Sequence, residues 1–225
     1  MTTLAASEAY PLWAPNYAAE TAISWIENEL VSALTPPLAG LRLLDAGCGT
    51  GRRLRDLGAK QAVGVDLCRE MIDAGAADLR GSPRVKILTA DVRAMPFAAG
   101  SFDVVWCRLV IGHVRDCGSI YRELARVTAP AGRVIVTDFH EAAYAAGHRR
   151  SFRAEDAVFE VEHHVHSMAK QLREAADAGL ENVAVRPGRV GASVEHFYRS
   201  TGKSDLFLEQ VGLPVVLALS FRRGA

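Results

Sequence analysis

The chain has 225 residues, 49% of them hydrophobic, and its 26 Lys and Arg residues balance its 26 Asp and Glu residues, so the formal net charge is zero. This length is enough for one well-cored domain, and the composition is that of a globular protein rather than a disordered one. Zero net charge provides no broad electrostatic attraction to nucleic acid or to an anionic membrane surface. We therefore expect a single globular domain with no polyanionic partner.

The cysteines and the first forty residues bear on the cellular compartment. Four cysteines are too few, and lack the CxxC spacing, for a disulfide-stapled or zinc-binding domain. No Lys or Arg precedes Arg42, so the basic start of a secretory or transit peptide is missing. No apolar run reaches the roughly eighteen residues of a membrane span. We expect a cytoplasmic protein without membrane association, either a monomer or a homodimer.

The first predicted helix covers Ala18 to Leu34, where apolar side chains recur at helical spacing. Pro36-Pro37 ends it, and Asn16 is a candidate for its N-terminal cap. The preceding segment, Tyr10 to Tyr17, is rich in aromatic residues and interrupted by proline. We predict that it is an irregular arm lying on another part of the molecule.

Short apolar runs separated by crossover-length segments follow from residue 41 onward. Runs of this length, rich in β-branched side chains, are typical of parallel strands that are buried on both faces. The five predicted strands are Leu41 to Ala46, Ala62 to Leu67, Val85 to Ala90, Phe102 to Cys107 and Gly132 to Asp138. The pattern predicts a doubly wound α/β sheet.

The alternation of strands and helices breaks after Asp138, which indicates an insertion. We predict a β-hairpin from Arg150–Arg153 and Val158–His166 around the turn-like residues 154–157. A helix from Ser167 to Ala178, ended by Gly179, should follow. The last predicted elements are an antiparallel strand pair, Asn182 to Arg186 and Pro214 to Arg222, with a short helix over Val194 to Ser200 between them.

A glycine-rich turn follows the first predicted strand. Asp45-Ala-Gly-Cys-Gly-Thr-Gly51 leads into a predicted helix from Arg52 to Leu57. Glycines let a ligand approach the backbone without meeting a Cβ, and a helix start offers unpaired N–H groups. The dinucleotide-binding pattern would need glycine at position 52, and the phosphate-loop pattern would need Lys-Ser/Thr after the last glycine. Arg52 and Arg53 stand there instead, so the turn matches neither pattern. Asp45 suits a ligand with an ammonium and a sulfonium better than a pyrophosphate.

At these residues the chain resembles the class I S-adenosylmethionine-dependent methyltransferases, most closely their small-molecule (type 11) branch. The resemblance covers Trp13 to Asp138 and, through the last predicted strand, Gly212 to Arg222. It implies a mostly parallel seven-stranded sheet with an antiparallel last strand, S-adenosyl-L-methionine as cofactor and a small-molecule methyl acceptor.

The resemblance also implies roles for individual residues. The turn, with Asp45, Gly47, Cys48, Gly49 and Gly51, would hold the methionine half of the cofactor. Asp66 would accept hydrogen bonds from both ribose hydroxyls, a task that suits a carboxylate. Further candidate cofactor contacts are Tyr17, Leu67, the pair Asp91-Val92 beside the adenine, and Cys107 at the strand end that would face the methyl group. Met71 is as easily a core residue as an adenine contact.

Histidines supply the candidates for catalysis. His113 and His140 follow predicted strands whose carboxyl ends should meet at the ligand site, so either could be a base or orient the acceptor. Each could equally be a helix cap or a hydrogen-bonded loop residue. A cluster at 163, 164 and 166 lies in the predicted hairpin, where alternation would place His164 and His166 on one face. We expect that face to be solvated or to line the acceptor pocket, rather than to bind metal together with His140.

We expect one methyltransferase domain over residues 1–225: an arm and helix (1–37), a cofactor-binding core (38–138), an insertion (139–166), and a C-terminal helix and strand pair (167–225). The arm and the insertion should form a lid, because methyl transfer requires a desolvated site. Three other readings stay open. They are a nicotinamide-dependent oxidoreductase, a non-catalytic cofactor-binding protein, and a nucleic-acid or protein methyltransferase. Arg52 weighs against the oxidoreductase, and the intact cofactor motif weighs against the non-catalytic protein. The zero net charge weighs against a nucleic-acid or protein substrate.

Overall fold

The computed structural model describes residues 1–154 and 156–224. The strands are β1 (Thr2–Leu4), β2 (Arg42–Ala46), β3 (Gln61–Asp66), β4 (Val85–Thr89), β5 (Phe102–Arg108), β6 (Thr128–Phe139), β7 (Ser151–Ala154), β8 (Ala157–Val161), β9 (Leu180–Arg189) and β10 (Pro214–Arg223). The α-helices are α1 (Ala6–Trp13), α2 (Ala22–Leu34), α3 (Arg69–Gly75), α4 (Cys117–Val127), α5 (Glu141–Ala145), α6 (Met168–Asp177), α7 (Glu195–Ser200) and α8 (Ser204–Gln210).

Seven strands form the central sheet in the order β4-β3-β2-β5-β6-β10-β9. The first five of these are parallel neighbours, whereas β10 pairs antiparallel with both β6 and β9. The order reverses direction between β2 and β5, so the crevice at their carboxyl ends is the usual ligand position of such a sheet. The predicted α/β fold class is confirmed, including the antiparallel last strand.

Side-chain alternation along the central strands divides the core into two layers. Leu44, Val63 and Val105 face α4 and α6 on one side of the sheet. Their sequence neighbours Leu43 and Val104 face α2 on the other side. Both faces are covered, and these strand residues are at most 5% exposed. This is why the strands read in the sequence as nearly continuous apolar runs.

A second, three-stranded sheet has the order β1-β8-β7. The predicted hairpin is confirmed, since β7 and β8 pair antiparallel, although Glu155 of its predicted turn lies outside the described residues. The N-terminal strand β1 adds to β8 in parallel, which the sequence did not indicate. Helix α1 then packs on this sheet, with the Trp13 ring stacked on Phe152 at 4.9 Å between centroids.

The prediction of an irregular arm over Tyr10 to Tyr17 was therefore wrong in part. Tyr10 to Trp13 belong to α1 despite Pro11, because the short helix loses only one hydrogen bond and gains the packing of Ala9, which is fully buried. The next helix begins at Ala22 rather than Ala18. Its cap is Thr21, whose hydroxyl accepts the Ser24 N–H at 3.1 Å, and not Asn16, which ends a short 3-10 turn.

Two further predictions of local structure were wrong. Arg52 to Leu57 is not an α-helix: a 3-10 turn covers Arg52–Leu54 only, and positive φ angles at Asp56 (56°) and Gly58 (69°) turn the chain back toward β3. The second hairpin strand ends at Val161 instead of His166. Beyond it, His164 N–H donates to the Gly112 carbonyl at 2.7 Å, so the backbone of this segment bonds a loop rather than a strand.

Candidate functional site

A cavity of about 520 Å³ opens at the carboxyl ends of β2, β3, β4 and β5. Most of its lining falls into two groups. The loops after the strands contribute Gly47, Gly49, Asp66, Leu67, Met71, Asp91, Val92, Leu109, Val110 and His113, while the N-terminal segment contributes Ala5, Ala6, Ser7, Tyr10, Pro11 and Tyr17. The cavity thus lies between the sheet edge and the arm.

The glycine turn bends because of its left-handed backbone. Gly47 and Gly49 have φ angles of 83° and 57°, which residues with a Cβ rarely adopt. The N–H groups of Gly47 and Cys48 donate to the Val65 carbonyl at 2.7 and 2.9 Å, tying the turn to β3. A Cβ on Gly47 would overlap with Val110 from the loop after β5. The turn therefore brings bare backbone close to two neighbouring strand ends.

Asp66 is the carboxylate that faces the cavity beside this turn. Its Oδ2 accepts the Gly49 N–H at 2.7 Å and its Oδ1 accepts the Cys68 N–H at 2.9 Å. Burial raises the pKa of the Asp66 carboxyl, while these backbone bonds act in the opposite direction. A carboxylate has about four lone-pair positions, so each oxygen keeps capacity for one further donor. Two donor groups on a ligand can be bound there at once.

A polar node closes the end of the cavity formed by the arm and the loop after β5. The Tyr10 hydroxyl oxygen lies 2.8 Å from Nε2 of His113, within hydrogen-bond distance. Nη1 of Arg150 lies 2.7 Å from both the Tyr10 oxygen and His113 Nε2, and donates to the Leu109 carbonyl at 3.0 Å. Burial and the charge of Arg150 hold the pKa of His113 well below its ordinary value, so its imidazole is neutral.

Leu109 has a positive φ of 57°, an uncommon conformation for a residue with a branched side chain. Its N–H donates to the Thr137 carbonyl at 2.9 Å, and its own carbonyl accepts from Arg150. These two bonds hold the backbone in place. Strain of this kind is concentrated at functional sites, where the surrounding structure fixes it.

Comparison with known proteins finds similarity in the core of the chain. Residues 44–136 match the model of the methyltransferase domain family. Over 105 residues the chain is 35% identical to the demethylmenaquinone methyltransferase of Clavibacter sepedonicus, covering 46% of this chain and 43% of that protein. It is 34% identical over 129 residues to the ubiquinone biosynthesis O-methyltransferase of Ralstonia nicotianae, covering 55% and 51%. Residues 44–136 are thus similar to methyltransferase domains.

The fold comparison extends beyond the matched core. A crystal structure of an S-adenosylmethionine-dependent methyltransferase from Mesorhizobium loti superposes with a TM-score of 0.68 at 20% identity, over 88% of this chain and 98% of that one. The similarity shows a shared fold. The chain aligns with only about half the length of the two curated relatives.

Eight of the twelve predicted cofactor residues line the cavity. They are Tyr17, Gly47, Gly49, Asp66, Leu67, Met71, Asp91 and Val92. Met71 is both a core and a cavity residue, because it is 1% exposed and its methyl group lies next to Gly49. Asp91 lies in the predicted place, but Arg93 pairs with its carboxylate at 2.5 Å and lowers its pKa.

The other four predicted cofactor residues do not line the cavity. Cys107 is fully buried in the core, and the Cys48 side chain points toward Gly64 on β3. Gly51 lies against Ile87. Asp45 is 2% exposed, its Oδ1 has no hydrogen-bond partner among the described residues, and burial raises its pKa to about 7. These residues support the turn from behind.

Of the two histidines predicted to act on the acceptor, the structure places one at the cavity. His113 lines it, whereas His140 does not. Instead, Nδ1 of His140 accepts the Ala142 N–H at 3.1 Å and caps α5. The expectation that His140 lies at the site is therefore corrected: β6 extends to Phe139, so the residue after it begins the next helix.

The predicted histidine cluster is dispersed. His166 is 4% exposed and its Nε2 lies 2.8 Å from the Val114 carbonyl, while the side chain of His163 packs beside Asp138, with 3.6 Å between Nε2 and Oδ1. Within residues 1–154 and 156–224, no group of three or more His, Cys, Asp or Glu side chains is arranged to hold a metal ion. The same residues contain no helix that is long and apolar enough to cross a membrane.

A buried ion pair supports the floor of the cavity, and the sequence did not reveal it. Arg108 ends β5 and lines the cavity, and Glu27 of α2 accepts from its Nε at 2.9 Å and its Nη2 at 2.6 Å. Thr137 donates to the same carboxylate at 2.9 Å. Tyr10 and Arg150 were also missed as a pair, since 140 residues separate them in sequence. The one signal available in the sequence for the buried ion pair was the position of Glu27. This acid lies four residues from both Ile23 and Val31, on the apolar stripe of the predicted helix.

Proposed function

We propose that this protein transfers a methyl group from S-adenosyl-L-methionine to a small-molecule acceptor, with S-adenosylhomocysteine as the second product. The observation that carries the proposal is Asp66 beside the glycine turn. It is a cavity-lining carboxylate with capacity for two more donors, at the carboxyl end of the strand next to β2. Both curated relatives named above are methyltransferases by description, and one of them is an O-methyltransferase of ubiquinone biosynthesis.

The residues present fit this cofactor. Asp66 would hold the two ribose hydroxyls, and Met71 and Val92 offer apolar surface for the adenine. Asp45 lies behind the turn and does not line the cavity, and its Oδ1 has no hydrogen-bond partner among the described residues. When ionised, it would favour the positive charge of the methionine part through its electric field rather than by contact. When bound, the cofactor supplies a methyl group on a sulfonium that loses its charge on transfer. A site shielded from water favours that loss of charge.

A small acceptor suits the remaining space. The arm side of the cavity is formed by the short residues Ala5, Ala6, Ser7 and Pro11, and the polar groups of Tyr10, His113 and Glu162 also line the cavity. The zero net charge of the chain supports a small acceptor over a nucleic acid. All four cysteines are free thiols, which supports the cytoplasm as the place of action for this monomer or homodimer.

The proposal is tested by thermal unfolding with and without ligand. S-adenosylhomocysteine at about 100 times its dissociation constant should stabilise the fold by about 2.7 kcal/mol. For a domain of this size that raises the melting temperature by roughly 5 to 11 °C. NADH at the same concentration should leave the melting temperature unchanged. A shift with NADH, or no shift with S-adenosylhomocysteine, would refute the proposal. Release of S-adenosylhomocysteine in the presence of an accepted substrate then separates an enzyme from a binding protein.

A further inference from the structure

The hairpin of β7 and β8 lies beside the cavity and forms little of its wall. Among the described residues of the predicted insertion, Glu162 alone lines the cavity, whereas the N-terminal segment contributes six residues between Ala5 and Tyr17. The hairpin instead holds that segment in place. Strand β1 pairs with β8, and α1 packs on both hairpin strands, in a small hydrophobic core that includes Ala9 and Phe152. The cavity wall therefore depends on residues that do not touch the cavity.

Arg150 is the side chain that joins the hairpin to this wall. It directly precedes β7 and does not line the cavity, and its Nη1 lies 2.7 Å from both the Tyr10 oxygen and Nε2 of His113. The same nitrogen donates to the Leu109 carbonyl at 3.0 Å. These three partners all line the cavity, one on the N-terminal segment and two on the loop after β5. One nitrogen thus joins two separate parts of the cavity wall.

The guanidinium of Arg150 is buried without a paired acid. The residue is 8% exposed, it forms no ion pair with any described residue, and its Nη2 has no hydrogen-bond partner among them. Burial acts to lower its pKa, and the charges of Tyr10, Asp138 and Tyr17 together raise it. Near pH 7 that counter-charge is small, because burial raises the pKa of both tyrosines and brings that of Asp138 to about 7. A buried cation with little counter-charge lowers stability, so stability alone does not explain an arginine here.

We propose that Arg150 is a positioning residue for the methyl donor, which holds Tyr10 and the loop after β5 in the arrangement that the cofactor needs. This inference rests on the proposed function and adds a residue that does not touch the ligand. The backbone of Leu109 supports it, because a positive φ of 57° is held there by the bond from Arg150 and by the bond to the Thr137 carbonyl. A cavity wall that is fixed before the ligand arrives binds more tightly, because less ordering is needed on binding.

The test combines calorimetric titration of S-adenosylhomocysteine with thermal unfolding of the free, full-length protein. Arg150→Met removes the charge and all three bonds of Nη1, and should weaken binding about tenfold, the effect of one charge-assisted hydrogen bond. Its melting temperature should be no more than about 4 °C below that of the wild type, since a buried charge is lost as well. The control Arg153→Met changes an exposed arginine of β7 outside the cavity, and should alter neither quantity.

Arg150→Lys tests whether the bonds of this one nitrogen matter. An ammonium group has three donors, so lysine can serve the same partners and should restore binding to within about threefold of the wild type. A double variant tests whether Arg150 acts through Tyr10. Tyr10→Phe alone should weaken binding about fivefold, and Tyr10→Phe with Arg150→Met should bind within about threefold of Arg150→Met alone.

Four results would overturn the inference. They are losses that multiply in the double variant, no rescue by Arg150→Lys, a melting temperature of Arg150→Met more than about 4 °C below the wild type, and equal binding by Arg150→Met and the wild type. The third result would make Arg150 a structural residue. The fourth would show that the contact of 2.8 Å between Tyr10 and His113 holds the wall without Arg150. If the wild type itself does not bind S-adenosylhomocysteine, it is the proposed function that fails.

Discussion

Replacing Glu27 with glutamine tests whether the buried ion pair under the cavity stabilises the fold. The side chains of Arg108 and Glu27 are only 7% and 4% exposed, and the variant leaves the guanidinium buried without its counter-charge. Breaking a buried pair on one side costs about 3 to 5 kcal/mol. Glutamine keeps the shape and some of the hydrogen bonds, so we expect about 3 kcal/mol. In a domain of this size, that lowers the melting temperature by roughly 6 to 12 °C.

The control for this variant is Glu181→Gln, which breaks an exposed pair. Glu181 and Arg222 are 2.7 Å apart, but their side chains are 58% and 56% exposed, so the loss should stay within about 0.5 kcal/mol. Both variants are compared with the wild type by urea unfolding. If Glu27→Gln loses no more stability than Glu181→Gln, the argument that burial makes this pair indispensable is refuted. Replacing both partners, as Glu27→Leu with Arg108→Met, should recover most of the loss.

Three further predictions concern the surroundings of the cavity. Gly75→Ala places a Cβ onto the backbone carbonyl of Thr50 and should destabilise the fold by more than about 2 kcal/mol in urea unfolding, whereas Gly191→Ala, with open space around its Cβ, should change it little. Burial raises the pKa of Asp45 to about 7, so the folded state retains a proton that the unfolded chain loses near pH 4. The wild type should therefore lose about 4 kcal/mol of stability through this group as the pH rises from about 4 to 7. Asp45→Asn should lack that part of the slope when urea unfolding is measured across the same pH range. Deleting residues 10–17 should weaken binding of S-adenosylhomocysteine severalfold in calorimetry, because this segment lines the cavity, and unchanged affinity would contradict a lid.

The local pattern of apolar residues was sufficient to predict the central sheet. Each predicted parallel strand exists within a few residues of its expected bounds, because strands buried on both faces produce apolar runs. The antiparallel final pair and α6, which begins after the Ser167 cap and ends before Gly179, were equally readable. These features depend on residues that are close together in the sequence.

The arm and the node could not be read in this way, because distant contacts determine them. Strand β1 exists through its pairing with β8, more than 150 residues later. Helix α1 tolerates Pro11 because Trp13 packs on Phe152. Arg150 reaches Tyr10 only after the hairpin has folded against the arm. Tertiary contacts of this kind override local propensity, and no spacing within the sequence signals them.

In the candidate site, too, some residues were predicted correctly from local sequence and others were not. Gly47, Gly49 and Asp66 were predicted from their motif and line the cavity. Asp45 and Cys107 were predicted in the same way, but both are buried behind the residues that line the cavity. Motif spacing assigns a residue to a strand end without giving the direction of its side chain. His140 shows the same ambiguity, since a histidine after a strand can face a ligand or cap a helix.

Calorimetric titration of S-adenosylhomocysteine into the wild type, Asp66→Ala and Asp73→Ala tests the central claim most directly. Asp66 lines the cavity, while Asp73 is an exposed acid on α3 that pairs with Arg69. The wild type and Asp73→Ala should bind with equal affinity. Asp66→Ala should lose about 2 to 3 kcal/mol of binding free energy, the amount of two charge-assisted hydrogen bonds, which weakens binding roughly 30- to 150-fold. Equal binding by all three proteins, or no binding by the wild type, would contradict a methyl-donor site at the glycine turn.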